Sequence, residues 1–517
     1  MRTSYFSALS LLVVSSVVAC SSGPEALPSL SADGGPAPIG SNAPPASSGP
    51  GALQPGPQGK PAEPPAPPPK ADEITEAFGV FVSTAGAAGA TGSRSQPLAS
   101  LTEAIAMAKA AKKRVFVCDG TYEETLELAN GVSIVGGLDC SAPTAWKLTD
   151  KRSVLKAPSS PAVHAENITV PTRIDNFDIE APDATAASGS SIGVIAVDSN
   201  ALTFAKGFIK AGVGMKGVDG VEGEQLAIRF DRTATAGLAA RTCVDPVTQT
   251  CTNVPQPGGT GAVTSCLKPN GEVAFVSTGG AGGLAGVVSR TRPMHAWHVV
   301  ASADPVGASG APAVGGADGQ EGRSAVEGKI SPDGYESADG VPGTSGSPGQ
   351  GGRGGDASKP PGDAVGTWWG QSGAGGGSGG CPGLAGTAGK GGGASIAIVA
   401  VRSPVRVESM ALTASSGGAG GQGTFGSQRN EGGLPGAFPV LNDDTRPSFG
   451  SPGGRAGISG NGAGGPSIGI AYQGGAPILT QTNTKVGAGG AGVAARSQNG
   501  KTIPAAPAGA SEAVKAL

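Results

Sequence analysis

Glycine recurs at every third position over long stretches, and this spacing constrains the fold more than any other feature. The 517-residue chain contains 91 glycines. Three residues make one turn of polyproline II, so glycines at this spacing lie along one edge of an extended segment. Such an edge lets neighbouring segments approach closely and exchange backbone hydrogen bonds, which would give an ordered bundle. The large entropy that glycine loses on ordering favours disorder instead, and both interpretations stay open. One run contains Gly340, Gly343, Gly346, Gly349, Gly352 and Gly355.

A strand-forming phrase precedes three of the glycine-rich tails. Each copy opens with Ser-Ile, a small residue and a β-branched residue, and holds two apolar period-two segments around a turn. This pattern is typical of one coil of a repeating sheet. Glycine-rich insertions are therefore predicted at about 212–393, 417–465 and 487–517, each leaving a repeated scaffold from a corresponding turn. The copies are SIGVIAVDSNALTFAKGFIKA from Ser191, SIAIVAVRSPVRVESMALTAS from Ser395 and SIGIAYQGGAPILTQTNTKVG from Ser467.

The N-terminus has the plan of an export signal, with Arg2, an apolar run over 8–19 and Cys20. The run is too short to span a bilayer as a mature helix. Val17 to Cys20 resembles a bacterial lipobox, and this resemblance implies that Cys20 carries the lipid anchor. An ordinary signal peptide that contains a cysteine is the alternative. Ser21 follows in place of the aspartate that retains such proteins at the inner membrane, which favours the outer membrane, with the protein exposed on the cell surface.

Composition divides the chain into a signal peptide at 1–19, a tether at 20–72 and a body at 73–517. The tether is rich in Pro, Ala, Gly and Ser and lacks the large apolar groups that a core needs. The net charge is −3. Nothing therefore favours a nucleic acid or anionic lipid as partner, and the predicted membrane contact is the lipid anchor.

An even number of cysteines in an exported chain suggests disulfides. The first predicted pair is Cys118 with Cys140, which are separated by about one coil of a stacked sheet. Neighbouring strands of such a sheet lie within disulfide reach. A pair between Cys243 and Cys251 would close a small loop and leave Cys266 with Cys381, although six cysteines allow fifteen pairings. Zinc is disfavoured because the chain contains no Cys-x-x-Cys pair. The six candidates are Cys118, Cys140, Cys243, Cys251, Cys266 and Cys381.

The elements that open the body are a strand at 80–83, a helix beginning near Pro97, and strands at 117–122 and 131–136. This series resembles the N-terminal part of pectin-lyase-like right-handed β-helix proteins. The resemblance implies an all-β fold, a right-handed parallel β-helix with an N-terminal capping helix and long Gly-rich insertions that could adopt polyproline II. Ser100 and Glu103 are predicted to form the capping box of that helix, which should end near Arg114.

Three glycine-rich phrases join tails to strands: GGCPG at 379–383, GGGASIAI at 391–398 and GGPSIGI at 464–470. They resemble glycine-rich, PGRS-like surface lipoproteins of the myxobacterial type, although no mycobacterial PE domain is present. Since that family has no established activity, the resemblance implies a structural, adhesive or ligand-display role. The expected partner is a cell-surface glycan or another surface protein.

Pectin-lyase-like scaffolds also include polysaccharide lyases and glycosidases, which need paired carboxylates or a basic residue beside acidic ligands. The candidates here are Arg173, Asp175 and Asp178, with a simple turn pair as the alternative. The family's polygalacturonase motifs do not occur together in this chain. A carbohydrate-binding or polysaccharide-degrading protein is therefore the alternative function, and no catalytic residue is assigned firmly.

Two further features are candidate contacts. Trp368 and Trp369 lie within a glycine-rich insertion, where they could stack on sugar rings or bury against the scaffold. His295 and His298 could offer two ligands to a metal, but the sequence places no third ligand nearby. The adjacent Asp443 and Asp444 are explained by solvation of a loop. No metal and no cofactor is therefore predicted.

Overall fold

Parallel β-strands form most of the regular structure in the described part of the body, which also contains one α-helix. The structure is a computed structural model that describes residues 62–517 except 63, 65, 69, 143–145, 240, 243–256, 285–286, 291–314, 356–365, 370–371 and 438–445. Residues 55–517 form one unit. The expected signal peptide, most of the tether, Cys20, His295 with His298, and Asp443 with Asp444 lie outside the described residues.

The first part of the body consists of short strands around one helix, preceded by a 3-10 turn at Ala71–Glu73. The elements are β1 (Gly79–Ala87), α1 (Leu101–Ala111), β2 (Arg114–Cys118), β3 (Gly120–Tyr122), β4 (Leu126–Glu127), β5 (Ile134–Asp139), β6 (Lys147–Leu148), β7 (Ser153–Lys156), β8 (Val163–Glu166), β9 (Thr172–Asp175), β10 (Phe177–Glu180), β11 (Ser191–Val197) and β12 (Leu202–Ala211).

The second part contains the later copies of the repeated phrase and several short strands between them. These elements are β13 (Ala227–Arg232), β14 (Arg241–Thr242), β15 (Val263–Leu267), β16 (Val273–Thr278), β17 (Val287–Arg290), β18 (Lys329–Ser331), β19 (Gly334–Glu336), β20 (Gly366–Trp369), β21 (Ser395–Val401), β22 (Arg406–Ala414), β23 (Ser467–Gln473), β24 (Ile478–Thr480), β25 (Asn483–Val486), β26 (Arg496–Gln498), β27 (Lys501–Ile503) and β28 (Ser511–Ala516).

The parallel strands form three stacks. The first stack pairs β1, β2, β5, β9, the N-terminal part of β12, that of β22, and β24. The second stack pairs β3, β7, β10, the C-terminal parts of β12 and β22, and β25. The third stack pairs β4, β8, β11, β21, β23 and β28. Because β12 and β22 each run through two stacks, the first and second stacks make one 12-stranded sheet.

After β1, the chain visits the three stacks in a constant order, first to second to third, beginning with β2, β3 and β4. The repeated phrases occupy equivalent places, because Ser191 pairs with Ser395 and Ser395 with Ser467. Ser467 pairs in turn with Ser511, so the segment SEAVKA is a fourth occurrence that the sequence pattern did not reveal. Its apolar start is lost, since Glu512 stands where the other copies have Ile.

Residues with left-handed backbone mark the bend between the first and second stacks. Asn176, Lys206, Ser409 and Gln481 have φ of 60°, 52°, 51° and 49°. Each lies between a residue of the first stack and one of the second, so the four follow one another along the molecule. The bend lets one long strand, such as β12, contribute to both stacks.

Apolar side chains stacked in columns fill the space between the stacks. One column consists of directly paired residues that are all buried. The interior is closely packed, and a void of about 10 Å³ between Leu126, Phe177 and their neighbours is at the lower limit for a single water molecule. The column contains Val80, Val115, Ile134, Ile174, Phe204 and Val407.

Helix α1 packs on the first coil through Leu101, Ala104, Ile105 and Ala108, which all belong to the main core. Ser100 is the N-cap, and its hydroxyl accepts from the Glu103 N–H. The capping box also predicts that the Glu103 carboxylate accepts from the Ser100 N–H. This part of the prediction is wrong, because the carboxylate accepts from the Gly89 N–H instead. Glu124, from the turn before β4, also caps the helix, because its carboxylate accepts from the N–H groups of Leu101 and Thr102 at 2.7 and 3.1 Å.

Every glycine-rich insertion connects the second stack to the third. The chain leaves at paired positions, Ala211, Ala414 and Val486. It returns at the serines of the repeated phrase. In each copy the serine hydroxyl donates to a backbone carbonyl at the exit of the second stack, at 2.6 to 2.7 Å. The donor and acceptor pairs are Ser191 with Pro182, Ser395 with Gly212, Ser467 with Ser415, and Ser511 with Gly487.

The insertions form a hydrogen-bonded body, which we call the glycine array. Its segments contain neither helix nor strand: 212–226, 257–262, 279–284, 315–328, 337–355, 372–394, 415–437, 446–466, 487–492 and 507–510. Neighbouring segments bond through every third residue, as a threefold extended helix requires. The donors Gly214, Gly217 and Gly220, for example, face the carbonyls of Ser416, Ala419 and Gln422 at 2.9, 2.8 and 2.7 Å.

Consecutive residues of an interior segment face different neighbours. The N–H groups of Gly389, Lys390 and Gly391 donate to Gly460, Val218 and the Asp339 side chain, respectively. A side chain on the glycine edge would collide with backbone: a Cβ at Gly450 would lie 1.7 Å from the carbonyl oxygen of Ser378. The ordered interpretation of the glycine periodicity is thus the one that the structure adopts in the described segments.

Candidate functional site

Arg173 and Asp175, two of the sequence candidates, form a buried ion-pair cluster on the outer face of the first stack. Arg173 Nε lies 2.8 Å from Asp175 Oδ2, and Arg173 Nη1 lies 2.7 Å from Glu408 Oε2. Arg173 is 6% exposed and Asp175 is 2% exposed. Strands β9 and β22 hold the three groups together, since Arg173 pairs through β12 with Arg406, two residues before Glu408.

The two carboxylates fix the protonation of the arginine. Burial lowers the pKa of Arg173, but the hydrogen bonds to Asp175 and Glu408 outweigh it and raise the pKa above its usual value. A guanidinium held in this way keeps its proton. The contacts therefore favour a structural role for Arg173, as a buried cation, over a role as catalytic base.

The third candidate, Asp178, lies on the second stack and has different partners. Its carboxylate accepts from Arg152 Nη1 at 3.2 Å and from the Phe208 N–H at 3.1 Å. Burial raises its pKa, and the charge of Arg152 opposes that effect. The structure therefore does not bring Asp178 into the cluster of Arg173 and Asp175.

An open cleft of about 680 Å³ lies beside Asp175. One wall is the segment around Asp150, and the amide of Asn176 ties that wall to the sheet by donating to the carbonyls of Lys151 and Gly136 at 2.6 and 3.1 Å. The cleft carries both signs of charge together with a hydroxyl and an amide, so it can hold a polar ligand. Its polar lining consists of Thr149, Asp150, Arg152, Asp175, Asn176, Lys206 and Ser409.

Sequence reasoning missed Glu408, Arg152, Lys206 and Ser409. Glu408 is 235 residues from Arg173, so only the pairing of strands brings them together. Lys206 and Ser409 offered a weak signal, because each interrupts an otherwise apolar, strand-forming run. Their left-handed backbone places them at the bend, where side chains leave the sheet.

Four of the six candidate cysteines form disulfides in the described residues. Cys118 is bonded to Cys140 and Cys266 to Cys381, with Cα atoms 5.8 and 5.7 Å apart. The second bond ties β15 to the interior of the glycine array. Cys243 and Cys251 lie outside the described residues, so their predicted pairing remains a prediction.

Trp368 and Trp369 lie on β20, which pairs antiparallel with β14 and β17. The structure describes the backbone there, and the alternatives of sugar stacking and burial both remain predictions. Over the described ranges, no three His, Cys, Asp or Glu side chains are grouped as metal ligands. In the same ranges, no helix has the length and apolar character of a membrane span.

Comparison with known proteins relates only the start of the body to a family. A family model described as a protein of unknown function (DUF1565) matches residues 84–140. That family is associated with parallel β-helix proteins. The match runs from β1 through α1 to just beyond β5. The chain matches no curated protein and no solved structure.

Proposed function

We propose that the body is a right-handed parallel β-helix, which serves as the core of a surface-display protein. Three stacks of parallel strands visited in constant order support a helical path of the chain. The right-handed sense follows from the strong preference of parallel crossovers for that hand. The match of residues 84–140 to a family associated with such proteins is consistent with it.

The function that the arrangement supports best is that of a structural or adhesive lipoprotein of the outer membrane. One observation carries it: the insertions all leave the strand stacks at the same place, between the second and third stacks, and bond to one another as one array. Because the segments pack through glycine, the array has a large surface but few side chains that could take part in catalysis. Such a surface suits the binding of partners better than the turnover of a substrate. Cys20 would anchor it through lipid, and the tether at 20–72 would hold it away from the bilayer.

Lipidation is tested by expressing the full chain in a bacterium with two membranes and labelling it with a clickable palmitate. We expect the wild type to take up label, to shift in mobility with globomycin and to fractionate with the outer membrane. Cys20→Ser should lose all three properties, while Cys266→Ser serves as a control that keeps the label. Outer-membrane retention of Cys20→Ser would contradict the anchor.

Surface display is tested separately by protease shaving of intact cells. We expect peptides from the array, such as those around 212–226, only after prolonged digestion, and tether peptides first. Full protection of all segments in intact cells, with cleavage after permeabilisation, would place the protein in the periplasm and contradict display.

The cleft beside Asp175 favours a second candidate, a protein that binds or degrades glycans. Its volume and mixed charge suit a polar chain of sugars. The purified protein would be incubated with neutral and acidic polysaccharides. Turnover abolished by Asp175→Asn would support an enzyme, and retention on a glycan column without turnover would support a binding protein. A folded protein with neither property would exclude this candidate for the glycans used.

A further inference from the structure

A second pocket lies on the glycine array, away from the residues of the cleft. It encloses about 360 Å³, within the usual range for small-molecule sites. Three parts of the chain build it: the segment 425–431, residues 455–456, and the hairpin of β26 and β27. We call it the arginine pocket, lined by Phe425, Arg429, Arg455, Gln498, Asn499 and Lys501.

Hydrogen bonds fix the walls of the arginine pocket. Lys501 Nζ donates to the Ala456 carbonyl at 2.5 Å and pairs with Glu321 at 2.8 Å. Arg429 Nη1 donates to the Gly453 carbonyl at 3.2 Å. The hairpin turns through Asn499 and Gly500, whose positive φ of 50° and 76° fits a tight two-residue turn. The pocket is thus formed before any ligand arrives.

The lining residues of the pocket carry a net positive charge, while the carboxylate of Asp318 beside it accepts from the backbone N–H of Arg455. Glu431 is the only carboxylate among its lining residues, against three cations. Glu321 neutralises Lys501, but Arg455 is exposed, and within the described residues its guanidinium has no ion-pair or hydrogen-bond partner. Arg429 keeps most of its N–H groups beyond the single bond to Gly453. Guanidinium groups are suited to bind a carboxylate through two parallel hydrogen bonds.

The rest of the lining suits a ring that carries hydroxyl groups. Gln498 and Asn499 are exposed, and in the described part of the chain their amides make no side-chain hydrogen bond. Each amide can both donate and accept, which is what a sugar hydroxyl needs. Phe425 is half-buried and holds the Arg496 guanidinium 5.6 Å from its ring centroid, so it is a fixed apolar wall.

From these features we propose that the arginine pocket binds an acidic saccharide, with a uronic acid carboxylate on Arg455 and Arg429. The hydroxyl groups of the sugar would bond to Gln498 and Asn499, and its apolar face would lie against Phe425. This assignment does not depend on the lipid anchor or on the cleft beside Asp175. It gives the displayed array a ligand class, acidic glycan, that the strand stacks do not supply.

The test is calorimetric titration of the full chain with short oligogalacturonate and oligoglucuronate. We expect saturable binding of at least one of them and none of the same oligomers after methyl esterification, which removes the charge. Arg455→Gln should weaken binding by roughly tenfold or more, the size expected for a lost charged hydrogen bond. Lys210→Gln removes an exposed cation outside the pocket and should leave the affinity unchanged.

Three results with the saccharides themselves would overturn the proposal. They are the absence of saturable binding of both oligomers, equal binding by Arg455→Gln, and equal binding of the esterified oligomers. Competition by inorganic phosphate at the same concentration as the saccharide would identify a simple anion site and also overturn it. Lys206→Gln changes an exposed residue of the cleft, so binding that it abolishes would assign the saccharide to the cleft instead.

Discussion

The hydroxyl of Ser395 donates a 2.6 Å hydrogen bond to the carbonyl oxygen of Gly212, 183 residues earlier in the chain. Gly212 follows the end of β12, where the longest insertion leaves the strand stacks, and Ser395 begins β21, where the chain returns. One bond therefore closes the base of the insertion. The same bond recurs at the other three equivalent serines, which explains why the repeated phrase begins with serine.

Removing this hydroxyl should destabilise the junction. Ser395 is fully buried, so Ser395→Ala leaves the Gly212 carbonyl without that donor, and we expect a loss of about 1–3 kcal/mol in the free energy of unfolding. Ser511→Ala removes the equivalent bond at an exposed position and should cost less. Urea unfolding of the two variants measures the difference, and equal losses would contradict a role for burial.

The glycine edge makes a second prediction. Gly450→Ala places a Cβ against the Ser378 carbonyl, and since backbone on both sides is hydrogen-bonded, we expect a loss of about 1–3 kcal/mol or more. Gly315→Ala is the matched control, because a Cβ at that position meets nothing within 4 Å. The control should stay within about 0.5 kcal/mol of wild type in the same denaturation experiment. A harmless Gly450→Ala would mean that the segments do not touch as described.

The buried cluster around Arg173 should behave differently from the partly exposed pair of Arg152 and Asp178. Arg173→Met leaves the carboxylate of Asp175 buried without its cation, and we expect a loss of about 3–5 kcal/mol. Arg152→Met breaks the pair with Asp178, in which the Arg152 side chain is 45% exposed and the Asp178 side chain 13% exposed, and it should cost less than Arg173→Met because Arg152 itself stays in contact with water. Thermal unfolding of both variants tests this order. Similar small losses would show that Arg173 is not a structural cation, and would return it to the list of functional candidates.

Glu76 supplies a pH dependence. The hydrogen bond from Arg94, at 2.9 Å, lowers the pKa of Glu76 from 4.5 to about 2. A lowered folded-state pKa stabilises the protein above pH 4.5, and this contribution disappears as the pH falls toward 2. The Glu76 side chain is 47% exposed, so the pair is worth about 1 kcal/mol or less.

The comparison is between wild type and Arg94→Met, which isolates this carboxyl from the others. We expect wild type to be more stable at pH 6 and the difference to vanish near pH 2, with the carboxyl resonance of Glu76 titrating closer to its ordinary pKa in the variant. A stability difference that persists unchanged at pH 2 would contradict the assignment.

The sequence predicted the repeating strands well for two reasons. The first strand of each copy, β11 or β21, is buried throughout and reads as an apolar run, and the second strand, β12 or β22, has alternating burial that leaves a period-two pattern. The glycine period of three also indicated which edge of each insertion contacts its neighbours. The glycine period did not decide whether the insertions are ordered or disordered, because that depends on how many segments pack against one another. The fourth copy at Ser511 escaped notice because an edge strand, paired on one side only, can replace Ile with Glu512.

The candidate sites were harder to predict. Arg173 and Asp175 were noticed as charges on a strand. Their surroundings include Glu408 and the segment near Asp150, which come from other parts of the chain, and no local pattern reveals these neighbours. The arginine pocket combines residues from 425 to 501 that have no common spacing. The β26–β27 hairpin that completes it carries only a short Asn-Gly turn signal, which is hard to notice within a glycine-rich region.

Amide hydrogen exchange over residues 372–393 tests the central claim, that the glycine-rich insertions are an ordered array built on the parallel strands. In the structure the N–H groups of this segment bond to several different neighbours, among them those of Gly380, Gly383, Gly389 and Lys390. We expect protection of the same order as in β21, which follows directly in the chain. Exchange at the rate of an unstructured peptide over 372–393, with β21 protected, would contradict it.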